Sequence, residues 1–129
     1  MVKESLVEKY IPAGNSLINE LKRVKIDVRT AFWYYSDSQN VWILVIGSPN
    51  YDREGPLKTY AKIQGVLYSD PELHNIINLA RIRIESAQNH VIRNLKEKLK
   101  GLSFPLEATI SIPGFSDELI QDVYVYKLQ

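Results

Sequence analysis

The chain of 129 residues contains no cysteine, and this absence excludes several kinds of site. Disulfides, thiolate nucleophiles and cysteine-ligated metals all require the missing side chain. Only two histidines, His74 and His90, are available as general bases near neutral pH. Neither has a nucleophile that the sequence places beside it, so no catalytic residue is predicted.

Long hydrophobic runs and phosphate-binding loops are also missing. The longest apolar run, at positions 41–47, is far shorter than the roughly 20 residues that a membrane-spanning helix needs. The motifs G-x-x-x-x-G-K-[ST] and G-x-G-x-x-G do not occur. We therefore expect a cytoplasmic protein with no membrane association, no cofactor and no metal.

A large excess of one charge is lacking as well, since the net charge is +1. The charge is nevertheless uneven, because residues 81–100 hold six basic and two acidic side chains. A local patch of Arg53, Arg81, Arg83 and Arg93 is therefore one candidate for binding phosphate groups or nucleic acid. The patch requires Arg81 and Arg83 to share one face of a strand. A solvated helix face is the commoner meaning of such a run of charges.

The strongest structural signal that the chain does contain is the stretch 31–49, which holds both tryptophans. Residues 31–35 and 41–46 are rich in β-branched and aromatic side chains, and residues 36–40 have the composition of a turn. The pattern predicts a β-hairpin within residues 27–48, with Asn40 in the left-handed conformation. Neither face of this hairpin is polar, so we expect it to lie centrally in a sheet that is covered on both sides.

Helical patterns flank the hairpin. One helix is predicted to begin at Asn15 or Ser16, after a break at residues 12–14. A second is predicted to follow Pro56. Its inward stripe would consist of Leu57, Tyr60, Ala61, Gln64 and Leu67.

Residues 71–100 are open to two interpretations. Residues 79–85 alternate as a strand does, and Ser86 is well placed to cap a helix over residues 87–100. Apolar residues spaced by three and four also permit one long helix from Pro71 to Lys100. We favour the strand followed by the helix, because Ile82 lies off the helical stripe.

Two more strands are predicted at residues 106–112 and 119–128, with a turn at 113–118 between them. A chain that mixes hairpins with helical crossovers is typical of an α+β fold. We therefore predict a single α+β domain over residues 1–129. Its mostly antiparallel sheet would have about five strands around the central hairpin, packed by two to three helices.

The segments AFWYY, VWILVIGSP, GPLKTYAKIQGVL and DVYVYKL together resemble a group of small uncharacterised bacterial proteins. The likeness extends over most of the chain. This group has no assigned activity, so the resemblance implies a compact bacterial domain and supplies no catalytic or binding residue.

The leading functional hypothesis is a non-catalytic domain that self-associates or binds another protein. Its support is the hairpin, which offers more apolar surface than three modest helices readily cover. Trp33, Trp42, Tyr124 and Tyr126 are the candidate contacts, with both tyrosines on a strand face expected to point outward.

A small metal-dependent hydrolase is the other alternative. Residues 48–56 form a polar connection that contains Asp52 and Glu54, and Asp70 and Glu72 follow further along the chain. Carboxylates of this kind bind Mg²⁺ only where they converge. Nothing in the sequence fixes such a geometry, so a polar surface loop is the simpler interpretation.

Overall fold

The computed structural model of the chain describes residues 9–113 and 120–129. These residues form an α+β domain, as predicted, with five helices rather than two or three. In chain order the elements are α1 (Tyr10–Arg23), β1 (Thr30–Ser36), β2 (Val41–Gly47), α2 (Pro49–Glu54), α3 (Pro56–Ser69), α4 (Pro71–Ile76), a 3₁₀ turn (Leu79–Arg81), β3 (Ile82–Glu85), α5 (His90–Lys98), β4 (Ile110–Pro113) and β5 (Ile120–Leu128).

The sheet has five strands in the order β3–β2–β1–β5–β4, with β1 in the middle. Strands β1 and β2 form the predicted antiparallel hairpin, in which Ser36 pairs with Val41. Asn40 has φ +57°, as the turn chemistry predicts. Among the strand pairs of the described residues only β2 and β3 run parallel, so the sheet is mostly antiparallel.

Both faces of the sheet are covered, which confirms the expectation from the hairpin's two apolar faces. We call the side that carries Trp33 the first face and the side that carries Phe32 the second face. Helices α1, α3 and α4 supply the apolar side chains that pack on the first face. Helix α5 supplies Ile92 and Leu95 to the second face, and Leu99, the residue that caps its end, packs beside them. Alternate residues of β1, β2 and β5 therefore enter two separate cores.

Helix α1 begins earlier than predicted and continues through residues 12–14. Pro12 lies in the first turn, where a backbone N–H would have no partner within the helix, so the missing donor costs little. Gly14 lies where β5 approaches the helix closely. A Cβ at this position would come within 2.9 Å of Cζ of Tyr126. The predicted break was wrong because tertiary contact, and not a turn, accounts for the glycine.

Residues 71–100 follow the favoured interpretation, with β3 and α5 in place of one long helix. Both elements are shorter than predicted, since residues 79–81 form the 3₁₀ turn and α5 begins at His90. The cap of α5 is Asn89, whose side chain accepts a hydrogen bond from the Val91 N–H at 2.8 Å. Ser86, the predicted cap, instead donates to Asp52.

The last two strands are antiparallel neighbours, as their patterns predict. Strand β4 begins at Ile110 and so lacks the first residues of the predicted strand. The turn predicted at 113–118 lies outside the described residues from Gly114 onward. In β5, Val123 and Val125 enter the second core, whereas Tyr124 and Tyr126 enter the first.

Candidate functional site

The four aromatic residues predicted as interface contacts lie in the interior of the chain. Trp33 is fully buried, and Trp42, Tyr124 and Tyr126 are 4%, 6% and 8% exposed. The expectation that both tyrosines point outward is wrong, because α1 covers that face of β5. These side chains belong to the first core and present no surface to a partner.

The buried aromatic residues are joined by hydrogen bonds as well as by packing. The Trp33 Nε1–H donates to the Tyr126 hydroxyl at 2.8 Å, and that hydroxyl donates to the Ile11 carbonyl at 2.7 Å. Burial raises the pKa of Tyr126, so its proton is retained for this bond. The chain of bonds fastens the start of α1 to the middle of the sheet, which is a structural role.

The four arginines predicted as a basic patch are dispersed over different elements. Arg81 belongs to the 3₁₀ turn and donates to the Tyr10 hydroxyl of α1 at 2.6 Å. Arg83 belongs to β3, and its guanidinium lies over the ring of Tyr34 on the second face. Because Arg81 precedes the strand, the two residues do not share a strand face as the hypothesis requires.

The other two arginines are exposed on separate helices. Arg53 is in the last turn of α2, and Arg93 is on α5. Of the four predicted arginines, only Arg93 lies in the basic segment 90–100. That segment borders a cleft, which is described below.

The predicted loop at 48–56 is mostly the helix α2, with Ser48 as its cap. Asn50 is buried and connects this helix to the segment before β1. Its side chain accepts from the Asp27 N–H at 2.8 Å and donates to the Lys25 carbonyl at 3.3 Å and to Glu54 at 3.2 Å. A buried amide with these partners holds two segments together and leaves no polar atom for a ligand.

The carboxylates of the hydrolase hypothesis point to different partners. Glu54 forms a salt bridge with Lys62 at 2.8 Å, and hydrogen bonds from Lys62 and Asn50 hold the pKa of Glu54 below its usual value. Asp52 accepts from Ser86, and Asp70 caps α4. Within residues 9–113 and 120–129, no three side chains of the metal-binding types come together.

Helix α3 follows the predicted inward stripe only in part, since Tyr60 and Leu67 pack in the first core whereas Leu57 and Ala61 are exposed. Its buried residues are Thr59, Ile63, Val66 and Leu67. The opposite side consists of Leu57, Ala61, Gly65 and Tyr68, which we call the outward face of α3. Leu57 is 85% exposed and Tyr68 is 70% exposed. Charged residues normally occupy this side of a surface helix.

The periodicity of α3 misled the prediction because the helix is apolar on nearly all sides. Two stripes with helical spacing are possible, one through Leu57 and Ala61 and the other through Ile63 and Val66. Tertiary contacts select the second stripe. The hydroxyl of Tyr60 also contributes, since it accepts a hydrogen bond from the Ile84 N–H of the edge strand at 3.0 Å.

The surroundings of the outward face are charged in an ordered way. Lys58 precedes Ala61 by one turn and is exposed at the start of the helix. Glu72 is exposed just beyond the end of the helix, in the first turn of α4. Lys62, in contrast, is already neutralised by Glu54. The start of α3 therefore carries an available positive charge, and the segment after its end carries a negative charge that lines a cleft with residues of α1.

Comparison with known proteins adds no candidate, since no family model, no curated protein and no solved structure matches the chain. The resemblance to a group of small bacterial proteins thus stays an expectation. No helix among the described residues has both the length and the apolar character to cross a membrane.

Proposed function

We propose that the protein is a non-catalytic domain that forms a homodimer through the outward face of α3. The observation that carries the proposal is the exposure of Leu57 and Tyr68 on a solvent-facing side of the helix that lacks charged residues. Exposed apolar clusters of this kind are typical of interaction sites. The cytoplasmic location expected from the sequence remains part of the proposal.

The shape of the face supports a second copy of the chain as the partner. Large side chains stand at both ends, and the small Ala61 and Gly65 lie between them. In an antiparallel pair, Leu57 of each copy would lie beside Tyr68 of the other, while the small residues would allow the two backbones to approach closely. A two-fold symmetric interface of this type uses the same patch on both subunits.

The charges support the antiparallel orientation over the parallel one. An antiparallel pair would bring Lys58 of each copy near Glu72 of the other, whereas a parallel pair would place like charges together. Complementary charges of this kind select the orientation more than they add affinity. Because one helix pair buries less than a standard interface of about 1,600 Å², we expect a dissociation constant on the order of 10 μM.

Sedimentation equilibrium across about 1 to 500 μM tests the proposal around the expected dissociation constant. In the antiparallel pair, Ala61→Glu places a carboxylate opposite Gly65 of the other copy, where the two backbones would approach closely, and we expect it to weaken dimerisation by at least tenfold. Asn19→Glu is the matched control, because Asn19 is an exposed, neutral position within α1. We expect this control to dimerise as the original chain does.

Exchanging the charges tests the orientation separately. Lys58→Glu and Glu72→Lys should each weaken the dimer several-fold, and the double variant should recover most of the loss. A chain that is monomeric at about 100 μM, the regime of weak association, would overturn the proposal. A dimer that Ala61→Glu leaves unchanged would place the interface elsewhere.

A further inference from the structure

A surface cleft lies on the second face of the sheet, away from α3. Its volume is about 870 Å³, within the range of pockets that take small molecules. Helix α5 forms one wall, and the segment after it forms another through Leu102 and Phe104. Leu128 of β5 also lines the cleft.

The helical wall of the cleft is basic. Arg93 and Lys96 are three residues apart and lie on the same side of α5. Lys100 lies in the turn after the helix ends at Lys98, and it also lines the cleft. None of the three takes part in a salt bridge within the part of the chain that the structure describes. Glu97 is the one carboxylate among the lining residues.

A favourable interaction with the dipole of α5 explains the presence of only some of these cations. Cations near the end of a helix oppose a partial charge of about half an electron. The three cations exceed Glu97 and this partial charge together. Lys98, which does not line the cleft, is also available to oppose the dipole. An anion in the cleft would therefore meet a net positive wall.

The other wall of the cleft is apolar. Leu102 is 49% exposed, and Phe104 and Leu128 are half-buried. An exposed leucine beside a partly covered phenylalanine provides a surface for an apolar or aromatic group. A cleft with one cationic and one apolar wall matches a ligand that has an anionic end and an organic body.

We propose that the cleft beside α5 binds a small phosphate ester. Its phosphate would lie over Arg93, Lys96 and Lys100, and its organic group would pack against Leu102 and Phe104. Guanidinium and ammonium groups are the usual donors to phosphate. A long nucleic acid fits less well, because Arg81 and Arg83 do not continue the basic wall as a stripe along the surface.

Isothermal titration with phenyl phosphate, octyl phosphate and inorganic phosphate tests the proposal. We expect at least one ester to bind about tenfold more tightly than inorganic phosphate, because only an ester contacts both walls. A preference for the phenyl ester would identify an aromatic ligand such as a nucleotide, and a preference for the octyl ester would identify an alkyl phosphate. Either preference supports the proposal.

Three variants assign the binding to the cleft. Arg93→Gln should weaken ester binding about tenfold, the loss typical of one charge-assisted contact. Lys98→Gln removes the same charge from the same helix outside the cleft and should change the affinity less than twofold. Leu102→Ala should weaken the esters several-fold and leave inorganic phosphate unchanged.

Several results would overturn the proposal. These are equal affinity for all three probes, no binding by either ester, and an equal loss from Lys98→Gln and Arg93→Gln. An oligonucleotide that binds more tightly than the esters and depends equally on Lys98 and Arg93 would favour nucleic acid instead. The test is independent of dimerisation, because α3 and α5 lie on opposite faces of the sheet and Ala61→Glu leaves the cleft intact.

Discussion

The two faces of the sheet differ in how they are covered. Three helices and both tryptophans build the core on the first face. On the second face, the nine-residue α5 is the one helix that contributes side chains to the core among the described residues, and the chain beyond it completes the cover. Trp33 and Phe32, neighbours in β1, are both fully buried and enter different cores.

This difference bears on where a surface is available for binding. The three helices on the first face bury most of their apolar residues, but the outward face of α3 stays exposed to solvent. The thin layer on the second face leaves a cleft between α5 and the following segment. The same sheet thus carries the helix face that we propose for dimerisation on one side and the cleft that we propose for a small phosphate ester on the other.

Trp33→Ala and Phe32→Ala compare the two cores directly, and they carry the largest expected effects. Both open a large cavity, and such substitutions cost about 3 to 5 kcal/mol of unfolding free energy. We expect Trp33→Ala to cost more, because it also leaves the Tyr126 hydroxyl without its donor. Urea denaturation followed by circular dichroism measures both values.

The milder pair Trp33→Leu and Phe32→Leu serves as a control in case either alanine variant fails to fold. The order of the two costs should be the same in both pairs. A larger cost at Phe32 would show that the second core tolerates a cavity less well than the first, and the comparison of thick and thin layers would then fail.

Gly14→Ala and Gly65→Ala make the same change in α1 and α3, with opposite expected signs. A methyl group at Gly14 meets Tyr126 and Trp33, so we expect a loss of about 2 kcal/mol from overpacking. At Gly65 nothing lies within 4 Å of the added carbon, so we expect an increase in stability of about 0.5 to 1 kcal/mol.

Thermal unfolding at low protein concentration measures both glycine variants in the monomer. Gly65→Ala also tests the proposed dimer, because it should stabilise the monomer while weakening the antiparallel pairing of α3. Stabilisation at Gly14 would contradict the close approach of β5 to α1.

Glu54→Gln has the smallest expected effect, which is a change in how stability falls at acidic pH. Because the pKa of Glu54 in the folded chain is below its usual value of 4.5, ionised Glu54 stabilises the fold. That contribution is present above about pH 4.5 and is lost as the pH falls through the folded pKa. The glutamine variant should therefore lose less stability between pH 6 and pH 3 than the original chain, on the order expected for one linked carboxylate.

Melting temperatures measured across this pH range provide the test of Glu54. Glu107→Gln, which removes an exposed carboxylate from a loop, is the charge-matched control. An identical pH profile for the original chain and Glu54→Gln would show that the salt bridge with Lys62 contributes nothing to stability.

The sequence by itself determined the features that depend on local chemistry. Alternation with period two and the turn residues at 36–40 specified the hairpin, its central place and the conformation of Asn40. Alternation also placed Tyr124 and Tyr126 on the same face of the predicted strand at 119–128, as they are in β5. The α+β class followed from the order of these elements.

Tertiary structure decided which of two equivalent surfaces faces inward. Both sides of α3 are apolar, so periodicity could not distinguish Leu57 from Ile63, and packing on the first face buried Ile63. Both sides of β5 could likewise be covered, and α1 covered the tyrosines. Gly14 and Arg81 were misassigned for a related reason: their roles depend on Tyr126 and Tyr10, which are distant in the chain. Local patterns record the spacing of side chains, whereas burial depends on the residues that other segments bring to them.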